Sequence, residues 1–357
     1  MDIKNSKRPF IIAGPCSAEN EQQVLETAKQ ISLYGIKVFR AGIWKPRTRP
    51  GNFEGVGSKG LNWLKKVKSE TGMQVTTEVA NTKHVYEALK AGIDILWIGA
   101  RTSANPFAVQ EIADSVAGMN IPVMIKNPIN ADIDLWVGAI ERFQKAGITN
   151  ITAIHRGFSS FTASKYRNEP MWQIPIELRR RMKELPIICD PSHISGKRNL
   201  LQSVSQKAMD LNYEGLMIET HINPDIALSD AKQQITPNDL KRLIDNLIIR
   251  HRKPGDSDFP EYEETLEELR TKIDEYDNII FGYIHKRMEV AKDIGSVKKK
   301  SKITILQPER WNQIVKNAVK KGEELGLSNK FVTAFLNSVH QESINQQTNI
   351  FNKTDEG

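Results

Sequence analysis

Residues 41–51 read AGIWKPRTRPG, which sets Lys45, Arg47 and Arg49 within five positions and stiffens them with Pro46 and Pro50. Alone, this is a basic surface turn. It gains meaning from Arg40, Arg101, Lys126 and Arg156, each of which stands at or beside the end of a short apolar run. One phosphate is usually met by two or three Lys or Arg groups, so a set of this size suits two anionic moieties. Pro46 would fix the backbone so that Arg47 and Thr48 present donors to one of them. A second set is of ligand type: Cys16, His193, Glu219 and Asp230. Singly, the cysteine reads as an apolar filler, the histidine as a satisfied turn residue and Asp230 as a helix cap. Together, thiolate, imidazole and carboxylates suit a borderline divalent ion (Mn2+, Fe2+, Co2+ or Zn2+) better than Mg2+. A metal beside two phosphate clusters equips a protein for carbon–carbon bond formation between phosphorylated compounds or for phosphoryl transfer. Spacing alone leaves both open.

These residues need a scaffold that points them one way. Apolar runs bounded by Gly, Pro or charge fall at 10–16, 38–43, 74–79, 95–100, 123–127, 151–156, 187–190 and 215–220, with helix-like spacing between them. Eight such units, with no G-x-G-x-x-G turn after the first, predict a (β/α)8 (TIM) barrel and not an open doubly wound sheet. The C-terminal strand ends of a barrel form its working face, and four of the first six deliver a cation there. Composition changes at HRKPGDSDFPEYEE (251–264). The organisation expected is a barrel over 1–252, a linker over 253–264 and a small all-α domain over 265–357. In that domain Leu266, Leu269, Ile273, Tyr276, Ile280, Ile284, Met288, Ala291 and Ile294 step by three or four. This predicts one amphipathic helix of about 30 residues. Its stripe needs cover from 308–326, from 328–347 or from a second chain.

The formal charge of +7 over 357 residues accommodates anionic small molecules, and no motif asks for nucleic acid. Two cysteines exclude a disulfide framework. No run of about eighteen apolar residues occurs and the stretch MDIKNSKRPF carries no hydrophobic signal, so a cytoplasmic location without a membrane partner is expected.

The motifs AGPCS, KPRT, IGART, DPSH, GLMIETH and LSDA, in this order over residues 9–250, resemble the type I 3-deoxy-D-arabino-heptulosonate 7-phosphate (DAHP) synthases. The resemblance implies condensation of phosphoenolpyruvate with erythrose 4-phosphate and release of phosphate. It further implies that Arg40, Lys45, Arg101, Lys126 and Arg156 surround phosphoenolpyruvate, with Lys45 also reaching the sugar. Arg47 and Thr48 would take the erythrose 4-phosphate end. Cys16, His193, Glu219 and Asp230 would hold the metal, and Glu78 would steady charge or manage a proton. The chain departs from the family in IHRG at 154–157, where many members carry CERG, and in KNP at 126–128, where some carry KRG.

The run LRTKIDEYDNIIFGYIHKRMEVAKDIGSVK (269–298) is similar to the first helix of AroQ-type chorismate mutases, small all-α dimers that convert chorismate to prephenate. That resemblance implies a cage of Arg270, Arg287, Lys298, Arg310 and Gln347, with Arg270 supplied to the partner subunit's site. Gln307 and Trp311 stand where many members are acidic. The expected protein is a bifunctional shikimate-pathway enzyme, homodimeric through its C-terminal domain, with prephenate or chorismate as feedback ligand. The alternative is a monofunctional synthase whose helical domain dimerises and senses a ligand.

Overall fold

The computed structural model describes residues 3, 6, 8–46, 51–161, 164–251 and 260–352. The chain divides into two compact units, Met1–Arg252 and Lys253–Gly357.

The first unit contains strands β1 (Phe10–Gly14), β2 (Val38–Arg40), β3 (Gln74–Val79), β4 (Ile95–Ile98), β5 (Val123–Lys126), β6 (Ile151–His155), β7 (Ile187–Cys189) and β8 (Gly215–Glu219). They run parallel in chain order and close where β8 pairs with β1. Helices α1 (Glu21–Ser32), α2 (Lys59–Thr71), α3 (Thr82–Lys90), α4 (Ala100–Ser103) and α5 (Pro106–Ser115) follow the first four strands. Helices α6 (Ile133–Lys145), α7 (Gln173–Arg181), α8 (Pro191–Ser195), α9 (Leu201–Asp210) and α10 (Pro237–Asp245) complete the ring. This is the (β/α)8 barrel that the alternating pattern predicts.

The strands read as continuous apolar runs because both faces are buried. Ile12, Val38, Ile95, Trp97, Met124, Ile154, Ile188 and Met217 form one cluster, while their neighbours Ala13, Phe39, Leu96, Ile125 and Ala153 join the larger core under the helices. Asn20, Asn81, Asn105, Asp132 and Thr236 cap α1, α3, α5, α6 and α10 by accepting backbone N–H bonds, which fixes where each helix leaves its loop. The strands stop short of several predicted ends: Cys16, Arg156, Asp190 and Thr220 already belong to the loops.

The second unit consists of α11 (Pro260–Lys300), α12 (Pro308–Glu324) and α13 (Asn329–Asn352), with α13 packed on both others. Met288, Ala291, Val332 and Val339 are buried there. Helix α11 spans 41 residues, longer than the periodic stripe suggests. Of the expected linker, 253–259 lies outside the described residues and 260–264 is helical.

Candidate active site

The strand ends of the barrel open on one cleft lined by Lys45, Glu78, Arg101, Lys126, Arg156, His193 and Asp230, together with Arg167. Strand register brings them there. Arg40 ends β2 and is buried, with Nη2 3.3 Å from Glu219 Oε1 and its guanidinium 4.8 Å from the Trp97 ring. Its Nε and Nη1 find no hydrogen-bond partner among the described residues. Buried cationic donors left unpaired are costly, so they favour an anion. Lys126 ends β5 and donates to Asp190 Oδ2 at 2.8 Å. Arg156 Nη1 donates to Asn168 Oδ1 at 2.7 Å, and burial lowers its guanidinium to about 10. Arg101 lies in α4 and is exposed on the cleft side of the barrel mouth. Glu78 accepts from Trp97 Nε1 at 3.2 Å, a contact fixed by the pairing of Glu78 with Trp97 across β3 and β4. Arg47 and Thr48 lie outside the described residues.

Cys16, Glu219 and Asp230 place a ligand atom each within 4.8 Å of one another. His193 Nε2 stands 3.7 Å from Glu219 Oε1 and 3.8 Å from Asp230 Oδ2. Lys45 Nζ donates to Cys16 O at 3.0 Å and reaches Cys16 Sγ at 3.2 Å, so Lys45 joins the two sets. Burial pushes the Cys16 thiol up to about 12, with Glu219 adding to the rise. Burial also lowers His193, which favours the neutral imidazole that ligates metals. Asp190 accepts from His193 N and lies 2.8 Å from His193 Nδ1, leaving Nε2 for the cleft. Burial alone would raise Asp190, but His193 and Lys126 hold its carboxyl well below the usual range. Asp230 is no helix cap: it adopts a positive φ of 52° in an irregular loop. One thiol, one imidazole and two carboxylates converging in a buried space fit a borderline divalent cation.

Arg167, Asp190 and Gln233 belong to this site without having stood out in the sequence. Arg167 Nη1 pairs with Asp230 Oδ1 at 3.0 Å, and Gln233 Nε2 donates to Glu219 Oε2 at 2.7 Å. The IHRG departure also has a physical account. His155 is fully buried, with Nε2 2.7 Å from Pro170 O and Nδ1 3.0 Å from Tyr213 Oη.

In the second unit, Arg287 Nη1 donates to Ser343 Oγ and Lys298 Nζ to Ile305 O. Gln347 is buried, four residues beyond Ser343 and so on the same face of α13, and its Oε1 finds no partner among the described residues. Arg310 is exposed and donates to Gln313. Trp311 stacks on His340 at 3.9 Å. Arg270 pairs with Glu267 and, 17 positions before Arg287 on one helix, lies about 26 Å from it along the axis, outside that cluster.

A closed parallel barrel whose mouth gathers cationic and ligand-type side chains defines a class: (β/α)8 proteins with their working site at the C-terminal strand ends. The particular family follows from comparison. Residues 2–248 match the DAHP synthetase I family model, and the chain belongs to that family. Residues 269–348 match the chorismate mutase type II model, so the chain joins both domains. A phospho-2-dehydro-3-deoxyheptonate aldolase of Thermotoga maritima is 34% identical over 247 residues, covering 69% of this chain and 71% of that protein. A 2-dehydro-3-deoxyphosphooctonate aldolase of Legionella pneumophila is 28% identical over 258 residues, covering 67% of this chain and 90% of its own. The crystal structure of the Thermotoga maritima DAHP synthase superposes with a TM-score of 0.60 at 34% identity, covering 66% of this chain and 67% of that one. A truncated form of the enzyme gives 0.58 at 31% identity, covering 66% and 84%.

Proposed function

We propose that the barrel condenses phosphoenolpyruvate with erythrose 4-phosphate to give DAHP and phosphate, with a divalent cation held by Cys16, His193, Glu219 and Asp230. The observation that carries this reading is the convergence of Lys45, Arg101, Lys126 and Arg156 with four ligand-type side chains on one barrel mouth. Arg40, Arg101, Lys126 and Arg156 bind phosphoenolpyruvate and neutralise its charges. Lys45, in contact with Cys16, faces both substrates and orients the aldehyde end against C3 of the enol. Arg47 and Thr48 of KPRT take the distal phosphate. When bound, the cation supplies Lewis-acid polarisation of a carbonyl oxygen. Glu78, anchored on Trp97, steadies the positive charge that develops at C2 as water adds there.

The helical unit rearranges chorismate to prephenate. Arg287 and Lys298 find neutral acceptors in Ser343 Oγ and Ile305 O, and both keep donors for a dianion. An uncharged pericyclic reaction needs little acid–base chemistry, so holding the folded conformer is a sufficient mechanism. Arg270 would complete the cage from a second subunit, and the apolar stripe exposed on α11 (Leu269, Ile273, Tyr276, Ile280) supports dimerisation through this unit.

One coupled assay on the full chain tests both activities. Chelator, or Cys16→Ser, is expected to abolish condensation while prephenate formation and the far-UV circular dichroism stay unchanged. Full condensation by metal-free protein would refute the metal reading; absence of prephenate would leave the helical unit as a sensing and dimerisation module.

A further inference from the structure

The loop leaving β8 carries Asp230 and, three positions on, buries Gln233 between the two carboxylates of the cleft, with 1% of its surface exposed. Gln233 Nε2 donates to Glu219 Oε2 at 2.7 Å and stands 3.4 Å from Asp230 Oδ2. Its Oε1 accepts from Arg167 Nη1 at 2.7 Å, and the same Nη1 lies 3.0 Å from Asp230 Oδ1. The amide can sit only one way round. A reversed carboxamide would set its oxygen against a carboxylate and its NH2 against a guanidinium. Arg167 is fixed in turn from behind: a Cβ on Gly196 would fall 2.4 Å from Arg167 Cβ, so the α8 turn packs directly on its stem. The Asp230–Gln233 turn is closed by Gln233 N donating to Asp230 O at 3.1 Å.

The arrangement distinguishes the four carboxylate oxygens. Glu219 Oε2 accepts from Gln233 and Asp230 Oδ1 pairs with Arg167, their shortest polar contacts. Glu219 Oε1, 3.3 Å from Arg40 Nη2, and Asp230 Oδ2, 3.4 Å from Gln233 Nε2, are the atoms that face His193 Nε2, at 3.7 and 3.8 Å, and Asp230 Oδ2 also meets Cys16 Sγ at 3.5 Å. Two carboxylates that would repel are thus held with one oxygen each turned inward. We propose that Gln233, braced by Arg167, is the positioning pair of the cation site, selecting which oxygen Glu219 and Asp230 present. The inference rests on the metal reading above and goes beyond it by assigning two residues outside the ligand set.

The test is calorimetric titration of Co2+ into chelator-stripped, full-length protein. Partners that orient ligating carboxylates typically account for 10–100-fold in metal affinity. Gln233→Leu, similar in size, is expected to weaken Co2+ binding by about that factor, with the far-UV circular dichroism of the metal-free protein and the mutase rate unchanged. Arg167→Met, which frees the amide to rotate, is expected to weaken it in the same direction by a smaller factor, so the inference stays testable if one variant misfolds. Wild-type affinity in both variants would overturn the positioning role and leave the metal reading standing. Failure of the wild type to take up Co2+, or uptake by Cys16→Ser at wild-type affinity, would overturn the metal reading and this inference with it.

Discussion

His155 shows how one side chain can tie an active-site loop to the barrel. Its Nε2 faces the Pro170 carbonyl and must donate, so Nδ1 accepts the Tyr213 hydroxyl hydrogen, a single neutral tautomer. Burial pushes its pKa down to about 3, against roughly 6.5 for the unfolded chain. The folded state therefore binds fewer protons than the unfolded state between those values. The stabilisation is fully present above about pH 6.5 and is lost as pH falls towards about 3, at up to roughly 1.4 kcal/mol per pH unit. Burial lowers His193 and His84 as well, so they titrate in the same sense, and the informative quantity is a difference. Thermal unfolding between pH 7.5 and 5 should show a shallower pH slope for His155→Gln than for the wild type; equal slopes would contradict the assignment. At this scale the sequence was legible where a charged or ligand-type residue interrupts an apolar run, as at Arg40, Lys126 and Glu219. Arg167 and Gln233 lie in irregular segments with no periodicity, and what marks them is three-dimensional contact with Asp230 and Glu219.

At the scale of elements, register does the positioning. The pairing of β3 with β4 sets Glu78 against Trp97, and the end of β4 passes so close that a Cβ on Gly99 would fall 1.9 Å from Glu78 Oε1. Gly99 has φ −72°, which any residue adopts, so Gly99→Ala introduces a steric displacement of the Glu78 carboxylate without backbone strain. If Glu78 steadies charge at C2, Gly99→Ala should lower kcat for condensation by one to two orders of magnitude, the scale of about 1.4–2.7 kcal/mol in the barrier. KM for phosphoenolpyruvate and the melting temperature should change far less; an unaltered kcat would remove Glu78 from the chemistry. Strand and helix identities were readable because the barrel is a repeated two-sided burial pattern. The start of α11 was not, because its first turns lack an apolar stripe and are rich in charge, the same composition that marks a linker.

At the scale of the whole molecule, one chain joins a DAHP synthase barrel to a chorismate mutase unit. Fusion by itself couples nothing. Feedback requires that prephenate bind two states of the protein with different affinity, and the coupling must then run both ways with the same factor. A coupling of 1–3 kcal/mol corresponds to roughly 5–150-fold. We expect saturating prephenate to weaken phosphoenolpyruvate binding to the metal-loaded full chain, measured by calorimetry, and phosphoenolpyruvate to weaken prephenate binding by the same ratio. Arg287→Ala, which strips the helical cage of a cation, should erase the response and leave phosphoenolpyruvate affinity without effector as it was. The Arg287→Ala variant separates this from simple competition, because a prephenate dianion that occupied the cationic barrel mouth directly would still compete in it. Equal phosphoenolpyruvate affinity with and without prephenate in the wild type would show that the two units share a chain and no free energy.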